Sequence, residues 1–339
     1  MIQKNKRLRK RPSRSAAPNI EGEKPVDLIA HFARLSAKQR QLMFSQVTAT
    51  SRINCKTFLE NRAQSRVPAP LHEKKRVMLT VVKEGETDYI PATYACCERD
   101  DYVLLQAPRK SDYRNYWRMV WRDGCKICVS LSNNLSESDD NLCYPYWPTK
   151  EGETMDIEDS RFVIECVKKQ EMKGFSIYDL KKGDGADEGE KKRLITFMHF
   201  DAWPPDTWPD LDLLGPFVSN LSKREVQIMR KTTDNYIPPV VIQSHDGLGR
   251  QAIFYQITPI VWVATILMKE IEKKECFDVE DLAKKCARSR PGAFYKSINF
   301  CVLMALAYRL ASLGGWIALA DARKKMKDIE DAYQESIKK

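Results

Sequence analysis

The stretch Val240-Val241-Ile242-Gln243-Ser244-His245-Asp246-Gly247-Leu248-Gly249-Arg250 gathers residue types suited to holding an anion. Val240 to Ile242 predict a short buried strand. Gly247 and Gly249 let successive backbone N–H groups turn toward one point. A helix expected directly after the loop adds the positive end of its dipole. Arg250 adds a planar, two-pronged donor matched to phosphate oxygens. Residues 244–250 therefore predict a phosphate cradle, although Gly-x-Gly-Arg alone also fits a plain turn at a helix start. Ser244, His245 and Asp246 invite comparison with a serine hydrolase. Neighbouring side chains in a tight loop point apart, however, and Ile242 and Asp246 stand where a nucleophile elbow needs glycines.

The elements needed to position such a loop are readable around it. Helical spacing runs through Leu28, Ile29, Phe32 and Leu35, then through Leu42 to Val47 after Ser36, and a third helix ends near Phe58 and Leu59. Strands are predicted over 77–82, 89–90, 102–105, 126–131, 162–168, 194–200 and 239–242, and a helix over 115–121. The Lys-, Gly-, Asp- and Glu-rich segment 181–192 reads as a solvated turn, and the C-terminal third as mostly helical. Strands within a helical shell, with a glycine turn opening a helix, predict an α/β domain.

Composition narrows the remaining classes. The chain has 339 residues and a net charge of +10, of which Lys4, Lys6, Arg7, Arg9, Lys10, Arg11 and Arg14 contribute seven. Residues 1–24 thus form a basic tail with too little apolar surface to offset its ordering entropy. Such a tail suits acidic partners, nucleic acid or a membrane surface, and equally simple solubilisation. No apolar run reaches the roughly 18 residues of a membrane span, and no secretory signal is evident. The ten cysteines lack a disulfide spacing, which points to reduced thiols and a cytoplasmic location, with the basic tail compatible with nuclear entry. Cys125 and Cys128 have no second ligand pair at zinc spacing and read as core residues facing opposite ways on a strand. No metal or cofactor is expected.

The loop resembles the signature of tyrosine-specific protein phosphatases: His-Cys, five residues, Arg, then Ser or Thr. Further blocks follow in the family's order. Asn61-Arg62 resembles the start of the phosphotyrosine loop, and Asp88-Tyr89-Ile90-Pro91-Ala92-Thr93-Tyr94 resembles Asp-Tyr-Ile-Asn-Ala-Ser-Tyr. Gln106-Ala107-Pro108, Tyr116-Trp117-Arg118-Met119-Val120-Trp121, Cys143-Tyr144-Pro145-Tyr146-Trp147-Pro148 and Arg290-Pro291-Gly292 match further blocks. The resemblance covers roughly residues 27 to 312. It implies the phosphotyrosine phosphatase fold, a highly twisted mixed β-sheet flanked by helices, with the phosphate loop between a strand and a helix. The expected organisation is a tail over 1–24, a phosphatase-like domain over 25–315 and a helical extension over 316–339.

Aligned on Gly247, Gly249 and Arg250, the family's nucleophilic cysteine falls on Ser244, its preceding His on Gln243 and its following Ser or Thr on Gln251. A serine hydroxyl is too weak an acid for the same cradle to ionise, so the phosphocysteine route is closed. The general acid of the family's Trp-Pro-Asp loop falls on Pro205, because Trp203-Pro204 is followed by a second proline and Asp206 comes one place late. Trp208-Pro209-Asp210 offers an alternative alignment. The substrate-stacking tyrosine falls on Ala63, the water-positioning glutamine on Tyr295 and a second glutamine on Asn299. His199 is expected to be structural. The resemblance therefore implies a pseudophosphatase that binds or scaffolds a tyrosine-phosphorylated protein or a kinase, with a pure scaffold and a residual enzyme as alternatives.

Overall fold

Strand β3 (Asp100–Gln106) explains why a sheet occupies the middle of the molecule. Side chains alternate along a strand. Tyr102 and Leu104 enter one apolar core while Val103 and Leu105 enter another, on the opposite face. A run apolar at every position is what a strand covered on both sides requires. The same alternation recurs in β4 (Ile127–Ser130) and β9 (Val240–Ser244). Ile127, Val129, Val240 and Ile242 face the first core, and Cys128 and Val241 the second.

The computed structural model describes residues 54–66, 71–80, 87–97, 100–133, 135–139, 142–157, 162–184, 193–203, 207–232, 236–245, 257–273, 279–290, 293–294 and 297–337. Helix α1 (Lys56–Glu60) and a 3-10 turn (Arg62–Gln64) precede β1 (Arg76–Met78), β2 (Tyr89–Cys97) and β3. Helix α2 (Tyr113–Arg122) leads to β4, and β5 (Thr154–Ile157), β6 (Phe162–Met172), β7 (Phe175–Asp184) and β8 (Arg193–Phe200) follow. Helix α3 (Leu211–Lys231) precedes β9. The chain then continues through α4 (Ile257–Lys273), α5 (Val279–Ser289), α6 (Ser297–Leu313) and α7 (Leu319–Ile337).

Among the described residues, nine strands form one mixed sheet in the order β1-β2-β3-β9-β4-β8-β7-β6-β5. β9 lies in the middle, parallel to both β3 and β4. Residues of α3 to α7 pack into the first core, and α2 covers the second. Two of the sequence blocks meet there: Trp117 Nε1 donates to the Tyr146 carbonyl at 2.8 Å, and Tyr116 packs edge-on to Tyr146. Among the described residues, no helix is long and apolar enough to cross a membrane.

Several sequence expectations change. The strand begun at Val77 ends at Met78, where β1 meets the register irregularity of its pairing with β2. The polar segment from Lys181 is not all turn. Residues 181–184 belong to β7, and Lys181 sits opposite both Glu165 and Leu194, because pairing on two sides outweighs a polar composition. Strand β7, missed in the sequence, carries Phe175, Ile177 and Leu180 inward. Cys125 and Cys128 lie in the same core cluster, not on opposite faces, because Cys125 precedes β4 and escapes its alternation. Burial raises both thiols, Cys128 to about 12. The helices read between 26 and 47, the basic tail and the segment 246–256 lie outside the described residues.

Candidate anion-binding site

Ser244 is the last residue of β9 and is 2% exposed. Its carbonyl accepts from Ala107 N at 2.8 Å, which ties the strand's end to the Gln106-Ala107-Pro108 block. Its side-chain oxygen accepts from Thr258 Oγ1 at 2.7 Å. Thr258 is fully buried in the first turn of α4. Two hydroxyls therefore join the end of the central strand to the start of the helix that follows the loop. His245, the next residue, is partly buried. Asp246, Gly247, Leu248, Gly249 and Arg250, and likewise Pro205 and Tyr295, lie outside the described residues.

Gln243 is fully buried, with its amide nitrogen 2.5 Å from Ser130 Oγ and its amide oxygen accepting from Ser132 Oγ at 3.3 Å. These contacts lock β9 to β4 and the loop after it. Burial of an amide without partners would cost several kcal/mol, so the two serines make this polar position tolerable in a core strand. Cys143 lies against the same groups, and burial pushes its thiol up to about 12. It is therefore protonated at neutral pH and offers no substitute nucleophile.

A second loop is brought to the same edge by Arg66. Its backbone N donates to Gln106 Oε1 at 2.6 Å, Nε donates to the Ala107 carbonyl at 2.7 Å, and Nη2 donates to the Pro108 carbonyl at 3.0 Å. Gln106 is the register partner of Ser244. The Asn61-Arg62 turn is thus anchored beside the end of β9. Ser65 and Tyr89 close the anchor with a hydroxyl contact of 2.8 Å. Ala63 lies on the exposed 3-10 turn and has no ring to stack on a substrate. Arg66 was missed in the sequence because an arginine in a polar loop looks like any surface cation.

The Trp203 loop is held from both ends. Trp203 is buried, its Nε1 donates to the Thr207 carbonyl at 3.0 Å, and its own carbonyl accepts from Asn133 Nδ2 at 3.1 Å. Asp210 has a different task from the acid of the alternative alignment. It is the N-cap of α3, and its carboxylate accepts from Asp212 N at 2.8 Å. His199 Nε2 lies 2.6 Å from the Ser132 carbonyl and its ring stands edge-on to Trp147. Burial lowers its pKa, so it is a neutral packing residue at pH 7. Asn299 is fully buried in the first turn of α6. Among the described residues no group of three His, Cys, Asp or Glu side chains could hold a metal.

The family model for protein-tyrosine phosphatase matches residues 60–309. The chain is 23% identical over 260 residues to the probable tyrosine phosphatase protein N1 of Microplitis demolitor bracovirus (isolate Webb), covering 75% of this chain and 77% of that protein. It is 25% identical over 250 residues to the mouse (Mus musculus) receptor-type tyrosine-protein phosphatase epsilon, covering 71% of this chain and 32% of the relative. It is 29% identical over 239 residues to the mouse tyrosine-protein phosphatase non-receptor type 2, covering 69% of this chain and 54% of the relative. The chain thus spans about a third of the receptor-type relative and about half of the non-receptor one. With the sheet, the central β9 and the neighbouring blocks in the family's order, this chain belongs to the protein-tyrosine phosphatase family.

Proposed function

We propose that this chain is a phosphatase domain that has given up hydrolysis and holds a tyrosine-phosphorylated protein, such as a kinase carrying a phosphorylated loop. The carrying observation is Ser244 at the end of β9, with an oxygen already engaged by Thr258. An alcohol there does not ionise at neutral pH, so no phosphoenzyme forms through it. Asp210, the acid of the alternative alignment, is occupied as a helix cap, which supports the loss of the general acid at Pro205. Gly247, Gly249, Arg250 and the loop amides retain the donors that a phosphate needs. In this reading the binding unit spans 25–315 and works in a reducing compartment, which the free thiols among the described cysteines support.

The exposed Ala63 favours a second reading, a scaffold whose pocket no longer holds phosphotyrosine, because ring stacking is lost. Calorimetric titration with phosphotyrosine peptides separates the two. Binding that needs both the phosphate and Arg250, tested with unphosphorylated peptides and Arg250→Ala, supports the first. A varied phosphopeptide set that binds no better than its unphosphorylated counterparts supports the scaffold.

A further inference from the structure

Helix α2 carries a row of cations on the face turned away from the core. Lys110, Arg114, Arg118, Arg122 and Lys126 recur at every fourth position. Residues four apart are neighbours on a helix surface, about 6 Å apart along its axis. The chain is already coiled at Lys110, because Tyr113 N donates to the Arg109 carbonyl at 3.0 Å. Tyr116, Trp117, Met119 and Val120 take the buried face. Lys110, Arg114, Arg122 and Lys126 are exposed, and Arg118 is half-buried. The helix itself contains no acid. The two acids that flank it are turned to their own neighbours: Asp112 accepts from the Arg109 amide, and Asp123 pairs with Arg122 at 2.7 Å. Arg118 donates to two neutral oxygens, Asn115 Oδ1 at 3.2 Å and the Thr80 carbonyl at 2.6 Å. Arg193 extends the patch, with its guanidinium 3.8 Å from the centre of the Trp121 ring.

We propose that this face of α2 docks an extended acidic segment of a protein partner, with carboxylates on alternate residues. Side chains on one face of an extended strand repeat about every 6.6 Å, close to the cation spacing on the helix. Three of the four cations from 110 to 122 are arginines, whose planar fork matches a carboxylate. Two other polyanions fit less well. A single-stranded nucleic acid needs open aromatic faces for its bases. Here Arg193 covers one face of Trp121, and Tyr113 and Tyr144 pack on each other with ring centroids 5.1 Å apart. A lipid surface is held best where apolar side chains stand beside the cations. The large exposed apolar residues of the described chain lie outside α2. Docking here needs neither Ser244 nor the glycine loop.

Fluorescence anisotropy on the full chain tests this with a labelled peptide of alternating Glu and Thr. The peptide is expected to bind, and to bind several-fold more weakly when salt rises from about 50 to about 200 mM. A peptide of alternating Lys and Thr should not bind. Lys110→Glu combined with Arg114→Glu should weaken the acidic peptide about tenfold. Both side chains are exposed, and circular dichroism establishes that the variant is folded. Excess free phosphotyrosine at constant ionic strength should not displace the peptide, which keeps this surface distinct from the phosphate-binding reading. Replacing the seven cations of the basic tail with Gln should leave the affinity unchanged. An acidic peptide that does not bind overturns the proposal. Binding that survives the α2 reversal, or that is lost to phosphotyrosine or to the tail replacement instead, overturns it as well. So does tighter binding, through the same two residues, of a single-stranded oligouridylate or of vesicles containing phosphatidylserine.

Discussion

On the reading that Ser244 and Pro205 replace the family's nucleophile and general acid, a cysteine introduced at 244 supplies a thiol but not a proton donor. Ser244→Cys is therefore expected to cleave p-nitrophenyl phosphate, whose leaving group departs without protonation, far better than a phosphotyrosine peptide. The gap should be on the order of 10²–10⁴, the usual contribution of a general acid. Steady-state rates on the two substrates check this, and comparable rates would mean that Asp206 or another group donates the proton. A different residue controls pH behaviour. Burial pushes the Asp112 carboxyl up to about 6 against the pull of the Arg109 amide and the charges of Arg66 and Arg109. A carboxyl raised above its unfolded value binds its proton more tightly in the folded state. Its contribution is complete below about pH 4 and is lost as pH rises through 6. The loss is on the order of 2–3 kcal/mol. His199, lowered by burial, works in the opposite sense as pH falls, so a variant must isolate Asp112. Asp112→Asn should flatten the difference in urea-unfolding stability between pH 4.5 and 7.5. An unchanged difference would mean that Asp112 ionises normally.

At the scale of elements, the site is a meeting of ends. The end of β9 meets the start of α4 through Ser244 and Thr258, and it meets the end of β3 through the Ala107 amide. Arg66 then carries the 61–66 loop to the same place with three hydrogen bonds. The start of α3 belongs to the scaffold. Its cap, Asp210, satisfies a backbone amide that the helix itself leaves open. Asp210→Ala should cost about 1 kcal/mol in denaturant unfolding and leave phosphopeptide affinity unchanged. A loss of binding larger than the loss of stability would return Asp210 to the functional site.

Across the whole molecule, the opposite end of α4 holds a buried charge pair. Lys269 Nζ lies 2.8 Å from Glu225 Oε2 of α3, and the Tyr102 hydroxyl of β3 donates to the same oxygen at 2.9 Å. Both ionic side chains are about 95% buried. The trio ties α3, α4 and the central sheet together on the side of the first core. Lys269→Met strands a buried carboxylate and should cost about 3–5 kcal/mol, whereas the double variant with Glu225→Leu should recover most of it. Chemical denaturation of the two variants decides this. Equal losses in both would mean that packing, not charge, is what the pair supplies.

The sequence by itself determined the fold class and the central strand. Those conclusions depend on local quantities, above all a run of Val and Ile for a strand buried on both faces. The order of the blocks then marked the family. The tertiary structure decided what occupies each polar group. Thr258 lies far along the chain from Ser244, so no spacing announces that its hydroxyl points at the strand's end. Arg66 and Gln106 stand 40 residues apart and meet only because the 61–66 loop folds against the end of β3. Strand β7 escaped notice because its polar end is stabilised by neighbours on both sides, not by its own composition. Periodicity reports which face of an element is buried, while hydrogen-bond partners depend on which elements fold against it.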